Sequence, residues 1–274
     1  MTDLTTLRKK ADRLWCETLL LHEREPGIRI ASCLSCVELL TVLFAGGHLR
    51  YRVGDPRWEG RDRFIASKGH GAVSLYPILA ELGFLAPGEL RKVGGSATAL
   101  GMIPDPAVAG VETVNGSLGH GLGVGLGMAI ALRRRASSAR VVVLHGDGEL
   151  GEGAVWEAVQ LAAELKVPNL FLLVDVNGKS MLGSCRRDAS SWRRVFSAFG
   201  WRVVRCEDGH DLASLDRALE ELFHTPAAGP SVLLAETVKG HGVPELEEAE
   251  LAHVMTLKSP RIRELLAEKG SETL

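Results

Sequence analysis

One stretch of the chain, residues 141–183, constrains the fold more than any other. It begins with β-branched residues at Val141–Val143, turns at Gly146–Gly148, continues with helical spacing to Lys166, and returns to an apolar run at Leu170–Val174. This order predicts a strand, a helix and a second strand. Because strands joined by such a crossover run parallel, the sequence predicts an α/β fold with a doubly wound, mostly parallel sheet flanked by helices.

Two polar residues follow the two predicted strands. Asp147 comes directly after the first strand and Asn177 after the second. The carboxyl ends of parallel strands meet at one edge of the sheet, so both side chains should lie side by side there. A carboxylate and an amide carbonyl, with glycines that let a phosphate approach the backbone, suit Mg²⁺ on a diphosphate better than zinc. Two ordinary turns are the alternative, since turns also use Asp, Asn and Gly.

Length and composition limit the possible functions. No change of composition along the 274 residues suggests two domains, so we expect one domain spanning residues 1–274 with a helical tail from about 245. The net charge of −2 gives no electrostatic reason to expect nucleic acid as a partner. No apolar run reaches the roughly 18 residues of a membrane span, and the N-terminus does not resemble a signal peptide. A cytoplasmic protein without a membrane partner is therefore expected.

The cysteines do not indicate a disulfide framework or a zinc site. Five cysteines, an odd number, fit reduced thiols better than paired ones. Cys33 and Cys36 form a C-x-x-C, but no second pair completes a tetrahedral zinc site. Both lie in the apolar stretch 32–44, which predicts one buried helix after an earlier helix over residues 3–22.

Further strands and one histidine lie outside the central segment. Strand Phe64–Ala66 leads into S-K-G-H-G, which places His70 at a strand-to-helix turn where it can reach a ligand. A surface loop histidine is the alternative. Two more strands, Trp201–Cys206 and Ser231–Glu236, are predicted around a helix at Asp211–Phe223, with Asp211 as its N-cap.

A row of glycines follows a long irregular loop over residues 94–116. In the predicted helix after it, Gly119, Gly123 and Gly127 share one stripe. Glycine in a helix interior costs about 1 kcal/mol relative to alanine, so the stripe needs a compensating role. We expect it to permit close approach of another backbone or of a flat ligand.

Five motifs occur in the order found in the transketolase family, and together they resemble its thiamine-diphosphate-binding half. They read DRFIASKGHG at 62–71, GVETVNGSLGHGLGVGLGMAIAL at 110–132, GDGELGEG with VDVN in the central segment, FGW with DGHD at 199–211, and TVKGHGV at 237–243. One motif could arise by chance, but five in order identify the chain as similar to this family. The resemblance runs from Ala31 to His253.

The resemblance implies thiamine diphosphate as cofactor, held through a divalent ion. Mg²⁺, or Ca²⁺ or Mn²⁺ in its place, is expected on the side chains of Asp147 and Asn177 and on the backbone carbonyl of Lys179. The residues expected to bind the cofactor are His70, Gly116, Leu118, Gly146, Asp147, Gly148, Glu149 and Asn177. The residues expected to act in catalysis are His70, His253, Glu152 and Glu157. The two glutamates match family positions at a subunit interface; an exposed helix face is the alternative.

The implied reaction is the transfer of a two-carbon ketol or acyl unit from a keto donor to an aldehyde acceptor, with the cofactor supplying the bond-breaking chemistry. In this family the glutamate that activates the cofactor belongs to a following pyrimidine-binding domain. Because the chain ends at Leu274, we expect a companion subunit to supply that domain. A heterotetramer, α2β2, is the expected assembly.

Two positions depart from the family's pattern. Where the family has histidines that contact the sugar donor, this chain has Arg29 and Ile103. Isoleucine cannot hydrogen-bond a hydroxyl, whereas arginine favours a carboxylate or a phosphate. These substrate positions support an alternative in which an α-keto acid such as pyruvate loses CO₂ on the same scaffold.

Two further alternatives belong to other classes. The spacing Gly146-x-Gly148-x-x-Gly151 also fits a nicotinamide-dependent dehydrogenase. However, Asp147 would then direct a negative charge at a pyrophosphate without a metal, and Asp175 lies too far along to bind the ribose. A non-catalytic partner subunit would explain the altered histidines, but it would not need the oxygen donors at the strand ends.

Overall fold

The computed structural model describes residues 3–86, 88–114, 116–179 and 188–270. The strands in these residues are β1 (Arg63–Ala66), β2 (Val141–Gly146), β3 (Leu170–Val176), β4 (Arg202–Cys206) and β5 (Ser231–Glu236). They form one parallel sheet in the order β1-β2-β3-β5-β4. The predicted strand–helix–strand unit and parallel sheet are confirmed.

The helices of the described residues are α1 (Leu4–Arg24), α2 (Ile30–Leu34), α3 (Val37–Ala45), α4 (Leu75–Glu81), α5 (Gly121–Arg134), α6 (Gly153–Glu164), α7 (Ala189–Ala198), α8 (Leu212–His224), α9 (Pro244–Glu248) and α10 (Ser259–Glu268). Short 3₁₀ helices lie at Gly69–Ser74, Glu89–Lys92, Asp147–Gly151 and Ala252–Val254. Within the described ranges, no helix combines the length and apolar character that crossing a membrane requires.

The sheet lies between two layers of helices, because its central strands are apolar on both faces. Every residue of β2 and β3 is buried. Val142 and Leu144 face a core shared with α1 to α4, α8 and α10, whereas Val141 and Val143 face a second core with α5, α6 and α7. Parallel sheets covered on both faces have such continuous apolar strands, and the doubly wound architecture is confirmed.

The apolar stretch predicted as one helix over residues 32–44 forms two helices, so that prediction was wrong. The break between α2 and α3 falls at Ser35 and Cys36, where φ of Cys36 is −118°. The Ser35 hydroxyl donates to the buried carboxylate of Asp175 at 2.7 Å, a long-range contact that helical spacing does not reveal. Cys33 and Cys36 are both buried, but they do not share one helical face.

The glycine-rich helix α5 begins at Gly121, later than the predicted start at Gly116. A Cβ atom on Gly121 would collide with the side chain of Ser67, and one on Gly125 would lie 2.6 Å from a methyl group of Val143. The close approach inside the fold therefore uses Gly121 and Gly125, which let α5 settle onto the sheet.

The predicted glycine stripe through three positions does not exist as such. Gly119 lies outside the helix with φ of +78°, a left-handed conformation that favours glycine. Gly123 and Gly127 do lie on one face, but a Cβ atom on either would meet nothing within 4 Å. These two glycines therefore leave an open outer surface.

Aspartate side chains cap two of the helices, of which the Asp211 cap was predicted, and the C-terminal region is helical. The side chain of Asp3 caps α1, and Asp211 caps α8 by accepting from Ser214 N at 2.8 Å. The predicted helical tail consists of α9, a 3₁₀ turn and α10. Helix α10 buries Ile262 and Leu265 in the same core as α1, so it packs against the body of the domain.

Candidate functional site

Asp147 and Asn177 meet at the carboxyl ends of β2 and β3, as predicted. Gly146 pairs with Asp175 across the two strands, which brings the residues that follow to the same edge. The backbone N–H of Gly178 donates to Asp147 Oδ2 at 2.7 Å. The predicted proximity of the two strand ends is thus confirmed.

A fully buried carboxylate fixes the orientation of the Asn177 amide. Asn177 Nδ2 donates to Asp175 Oδ2 at 3.2 Å. The amide carbonyl oxygen therefore faces away from that carboxylate, where it accepts from the backbone N–H of Lys179 at 3.2 Å. This arrangement leaves an oxygen atom, rather than an N–H, for a bound cation.

The same buried carboxylate is neutralised by a lysine. Lys68 forms an ion pair with Asp175, and its ammonium also donates to the Ser32 carbonyl at 2.7 Å and to Ser35 Oγ at 2.8 Å. Thr237 Oγ1 donates to the second carboxylate oxygen. Burial opposes ionisation, but Lys68 and the hydroxyl groups hold the pKa of Asp175 below its usual value. The pair is therefore a neutral, hydrogen-bonded frame for the site.

Asp147 has no ion-pair partner among the described residues. Burial, together with the neighbouring charge of Asp175, raises the pKa of Asp147 to about 6. A divalent cation would offset this charge. The available donors are the Asp147 carboxylate, the Asn177 amide oxygen and the Lys179 carbonyl, all hard oxygen atoms that suit Mg²⁺. These residues fit the predicted ion.

Glu149 holds the turn after β2 against the loop before α5. Its carboxylate is 3% exposed and accepts from Ser67 Oγ at 2.7 Å, from Gly119 N at 3.2 Å and from Gly146 N at 3.0 Å. Ser67 Oγ in turn accepts from Gly121 N at 3.2 Å. The side chain thus fixes both glycine segments that the resemblance assigns to the cofactor, and its own contact with the cofactor stays a prediction.

Three other predicted cofactor residues lie at the surface near these turns. Gly148 is exposed in the 3₁₀ turn after β2, and Gly116 and Leu118 are exposed in the loop that precedes α5. Their exposure leaves them available to a ligand. Direct contact with a cofactor stays a prediction for all three.

His70 and His253 come together although they lie far apart in the sequence. His70 lies in the 3₁₀ helix after β1 and His253 in the 3₁₀ helix after α9, with ring centroids 5.1 Å apart in an edge-to-face arrangement. Burial, Lys239 and His70 lower the pKa of His253 to about 4. Burial and Arg29 also lower the pKa of His70. Both rings are therefore neutral at pH 7.

Lys239 links the histidine pair to the carbonyl of Lys179, which is a predicted metal ligand. Its ammonium donates to the Lys179 carbonyl at 3.2 Å and to His253 Nδ1 at 3.2 Å, and Ser32 Oγ also lies 3.2 Å from that ring nitrogen. Because an ammonium only donates, Nδ1 is the acceptor and the neutral ring carries its proton on Nε2. Burial and the nearby Lys68 lower the pKa of Lys239 to about 8.

Arg29 has no ion-pair partner among the residues that the structure describes. It is half-buried, and its guanidinium has no hydrogen bond or ion pair with any described residue. Its charge nevertheless contributes to lowering the pKa of both His70 and His253. Ile103 is half-buried in the loop that packs its neighbour Met102 near Gly27. The substrate role of Ile103 stays a prediction.

The two predicted catalytic glutamates belong to the segment around α6. Glu152 precedes α6, and a Cβ atom on Gly119 would lie 2.7 Å from its side chain. Glu157 is exposed on α6. Their predicted role at a subunit interface is untested.

Lys68, Asp175 and Lys239 were not among the predicted site residues. A signal was available for Asp175, because an acidic residue inside the apolar run LFLLVDV is buried at a cost that requires a partner. The two lysines lie in glycine-containing turns, S-K-G-H-G and V-K-G-H-G, where a surface lysine is an equally reasonable expectation.

Comparisons with known proteins agree with this geometry. The family model described as "Transketolase, thiamine diphosphate binding domain" matches residues 25–273. Transketolase from Homo sapiens is 35% identical over 272 residues, which cover 98% of this chain and 43% of that protein. A putative uncharacterized transketolase family protein from Sinorhizobium fredii is 37% identical over 256 residues, 92% of this chain and 91% of that protein.

The fold comparison gives the same family. The crystal structure of transketolase from Campylobacter jejuni superposes with a TM-score of 0.89 at 26% identity, covering 98% of this chain and 43% of that one. The chain therefore spans less than half the length of the human and C. jejuni enzymes. On the family model, the relatives and the fold together, the chain belongs to the transketolase family and corresponds to its thiamine diphosphate-binding domain.

Proposed function

We propose that the chain is the cofactor-binding subunit of a two-component, thiamine-diphosphate-dependent transferase of the transketolase type. It transfers a two-carbon ketol or acyl unit from a keto donor to an aldehyde acceptor. The observation that carries the proposal is the sheet-edge site. There the oxygen donors of Asp147, Asn177 and Lys179 are linked through Lys239 to His253.

Each part of the site has a defined task in this proposal. Asp147, Asn177 and the Lys179 carbonyl hold Mg²⁺, with Ca²⁺ or Mn²⁺ able to replace it. The bound cofactor supplies the nucleophilic carbon that breaks a C–C bond beside a ketone. The neutral rings of His70 and His253 can donate to and accept from hydroxyl and carbonyl oxygens of the substrate.

Metal-dependent cofactor binding tests this assignment. Calorimetry of the chain with thiamine diphosphate should show binding with Mg²⁺ and none with a chelator. Asn177→Leu should abolish that binding, because it removes an oxygen donor. Asn169→Leu, the same change at the opposite end of β3, should bind normally because Asn169 donates to Ala129 and Ala139 carbonyls away from the site. Unchanged binding by Asn177→Leu would contradict the proposal.

A companion subunit carrying the pyrimidine-binding domain and its activating glutamate is part of the proposal, with α2β2 as the assembly. The Sinorhizobium fredii relative has a similar length, which supports a family branch with chains of this size. The outer face of α5 offers a surface for such a partner. Gly123 and Gly127 are open there, and the nearby Val124 is 39% exposed.

Reconstitution tests the companion. The chain mixed with the product of a neighbouring transketolase-like reading frame should gain transferase activity, and native mass spectrometry should give two copies of each. Gly127→Leu should weaken the complex without unfolding the chain, because its Cβ position is open. Full activity of the chain alone would refute this part. A cytoplasmic location belongs to the same proposal and is checked by cell fractionation.

Arg29 favours a second candidate function, transfer of an acyl unit from an α-keto acid with release of CO₂. A half-buried guanidinium that forms no ion pair with the described residues suits a carboxylate, which it can bind through two hydrogen bonds. Carboxyl-labelled pyruvate should release labelled CO₂ with the reconstituted pair. Arg29→Leu should raise KM for the keto acid, and Arg29→Lys should raise it less because a positive charge remains. Ketol transfer without CO₂ release would eliminate this candidate.

A further inference from the structure

Three titratable side chains meet behind the loop that carries Lys239. They are Glu38 from α3, His210 from the turn between β4 and α8, and His241 from the loop after β5. Their potential ligand atoms lie within 4.8 Å of one another. The two imidazole rings stack, with centroids 3.6 Å apart and planes 17° from parallel. None of the three belongs to the site described above.

Hydrogen bonds occupy both ring nitrogens of His210. The backbone N–H of Val238 donates to His210 Nε2 at 2.8 Å. Because a backbone N–H only donates, Nε2 carries no proton, and the neutral ring carries its proton on Nδ1. Nδ1 lies 3.0 Å from Glu38 Oε2 and donates to it. A metal ion on Nδ1 would displace this proton, so the cluster is built as a hydrogen-bonded chain rather than as a metal centre.

The N–H that His210 accepts lies between two residues of the site. The hydroxyl of Thr237 donates to Asp175, the carboxylate that orients the Asn177 amide. Lys239 donates to the Lys179 carbonyl and to His253 Nδ1. The position of the Val238 peptide group therefore determines whether the side chains of Thr237 and Lys239 can form these hydrogen bonds.

The turn that carries His210 is itself fixed against the same loop. Gly209 N donates to the Glu236 carbonyl at 2.6 Å, and His210 N donates to Asp208 Oδ1 at 2.9 Å. A Cβ atom on Gly209 would lie 2.6 Å from Thr237 Cγ2, so glycine permits this close contact. These contacts hold the turn that carries His210, and thus hold its ring against the Val238 peptide group.

We propose that His210 is a positioning residue for the cofactor site. As the Nδ1–H tautomer held by Glu38, it fixes the Val238 peptide group so that Lys239 reaches both the metal-binding carbonyl and His253. The consequence for cofactor binding rests on the proposed function. The tautomer of His210 and its hydrogen bond with the Val238 N–H do not depend on that function.

The tautomer can be observed directly in the full chain. Nitrogen-15 NMR of histidine-labelled protein, assigned with the His210→Gln variant, distinguishes a protonated Nδ1 from a protonated Nε2. We expect Nδ1 to carry the proton. A protonated Nε2, or a shift of the Nδ1 signal that shows ligation when Zn²⁺ is added, would overturn the proposal.

Two variants of similar size separate positioning from a general structural role. In His210→Gln the side-chain oxygen can take the place of Nε2 and accept from Val238, whereas in His210→Asn the shorter amide can still donate to Glu38 but cannot reach Val238. Hydrogen exchange of the 237–241 segment should be faster in His210→Asn and unchanged in His210→Gln. Mg²⁺-dependent affinity for thiamine diphosphate should fall roughly tenfold in His210→Asn alone, as expected for the loss of one hydrogen bond of about 1.4 kcal/mol.

The outcomes distinguish the two hypotheses. Equal losses in both variants, or unchanged exchange in His210→Asn, would overturn the positioning role. If the unaltered chain binds no cofactor, the proposed function fails, while the tautomer and the exchange rates still decide whether His210 holds the loop. Thermal melting of both variants checks that each is folded.

Discussion

Replacing Asp147 by asparagine should stabilise the metal-free chain, and it should weaken the metal binding that we propose for this residue. In the folded chain, burial and the charge of Asp175 raise the pKa of Asp147 from 3.8 to about 6. A difference of about two units corresponds to about 3 kcal/mol at most. Asparagine carries no charge, and its carbonyl oxygen can still accept from the Gly178 N–H.

The pH dependence of this gain follows from the direction of the pKa shift. Because the folded pKa lies above the unfolded value, the folded state holds the proton more tightly, and ionisation of Asp147 lowers the free energy of unfolding. This loss of stability develops as the pH rises from 3.8 to about 6. The difference in free energy of unfolding between Asp147→Asn and the parent chain should therefore be largest above about pH 7. It should shrink as the pH falls through that window and vanish below it.

Urea denaturation at a series of pH values, in the presence of a chelator, measures this difference. Asp62→Asn is a matched control, for which we expect the opposite change in the free energy of unfolding. Asp62 is also buried, but its ion pairs with Arg140 and Arg50 hold its pKa below the usual value against the effect of burial. That variant should lose stability at neutral pH. An Asp147→Asn chain that is less stable than the parent above pH 7, or a gain that grows in acid, would refute the reasoning.

Further substitutions, each measured by urea denaturation, test the packing and the buried polar groups. Gly125→Ala should destabilise the chain by about 1–3 kcal/mol because of overpacking. Gly127→Ala, on the open face of the same helix, should stabilise the chain by about 0.5–1 kcal/mol. Equal effects of the two variants would contradict the assignment of the helix faces. Lys68→Met should cost about 3–5 kcal/mol by leaving Asp175 buried without its cation, and adding Asp175→Asn should recover part of this loss. Glu149→Leu should cost at least about 2 kcal/mol, since it leaves two buried backbone N–H groups without an acceptor; a neutral effect would show that water replaces the carboxylate.

Local sequence patterns were sufficient to predict the sheet and the position of the oxygen donors. Apolar runs bounded by glycine turns fixed β2 and β3, and parallel pairing then required Asp147 and Asn177 to share an edge. The strand-to-helix turn already indicated His70, and the resemblance added His253; no local pattern could show that the two rings lie together. In each of these cases the deciding information lies within a few residues of the side chain or within one motif.

The features that could not be predicted depend on contacts between distant segments. Helical spacing describes which glycines share a face, but only the packing of α5 onto β2 decides that Gly125 is inside and Gly127 outside. In the same way, the break at Ser35 depends on a carboxylate 140 positions away in the sequence. Lys68 and Asp175, separated by 107 positions, could be identified as partners only after the sheet order was known.

The partners of Asp175 come from distant parts of the sequence, and this has a consequence for the synthesis of the chain. Its partners lie 140 and 107 positions before it and, at Thr237, 62 positions after it. A growing chain therefore cannot complete this polar frame until β5 and the residue after it have left the ribosome. Long-range contacts of this kind form slowly, and until β3 has been synthesised Lys68 lacks the buried partner that makes its own burial tolerable. The first two-thirds of the chain should thus depend on chaperones or on rapid elongation to avoid aggregation, and the cofactor site should be among the last parts of the domain to form.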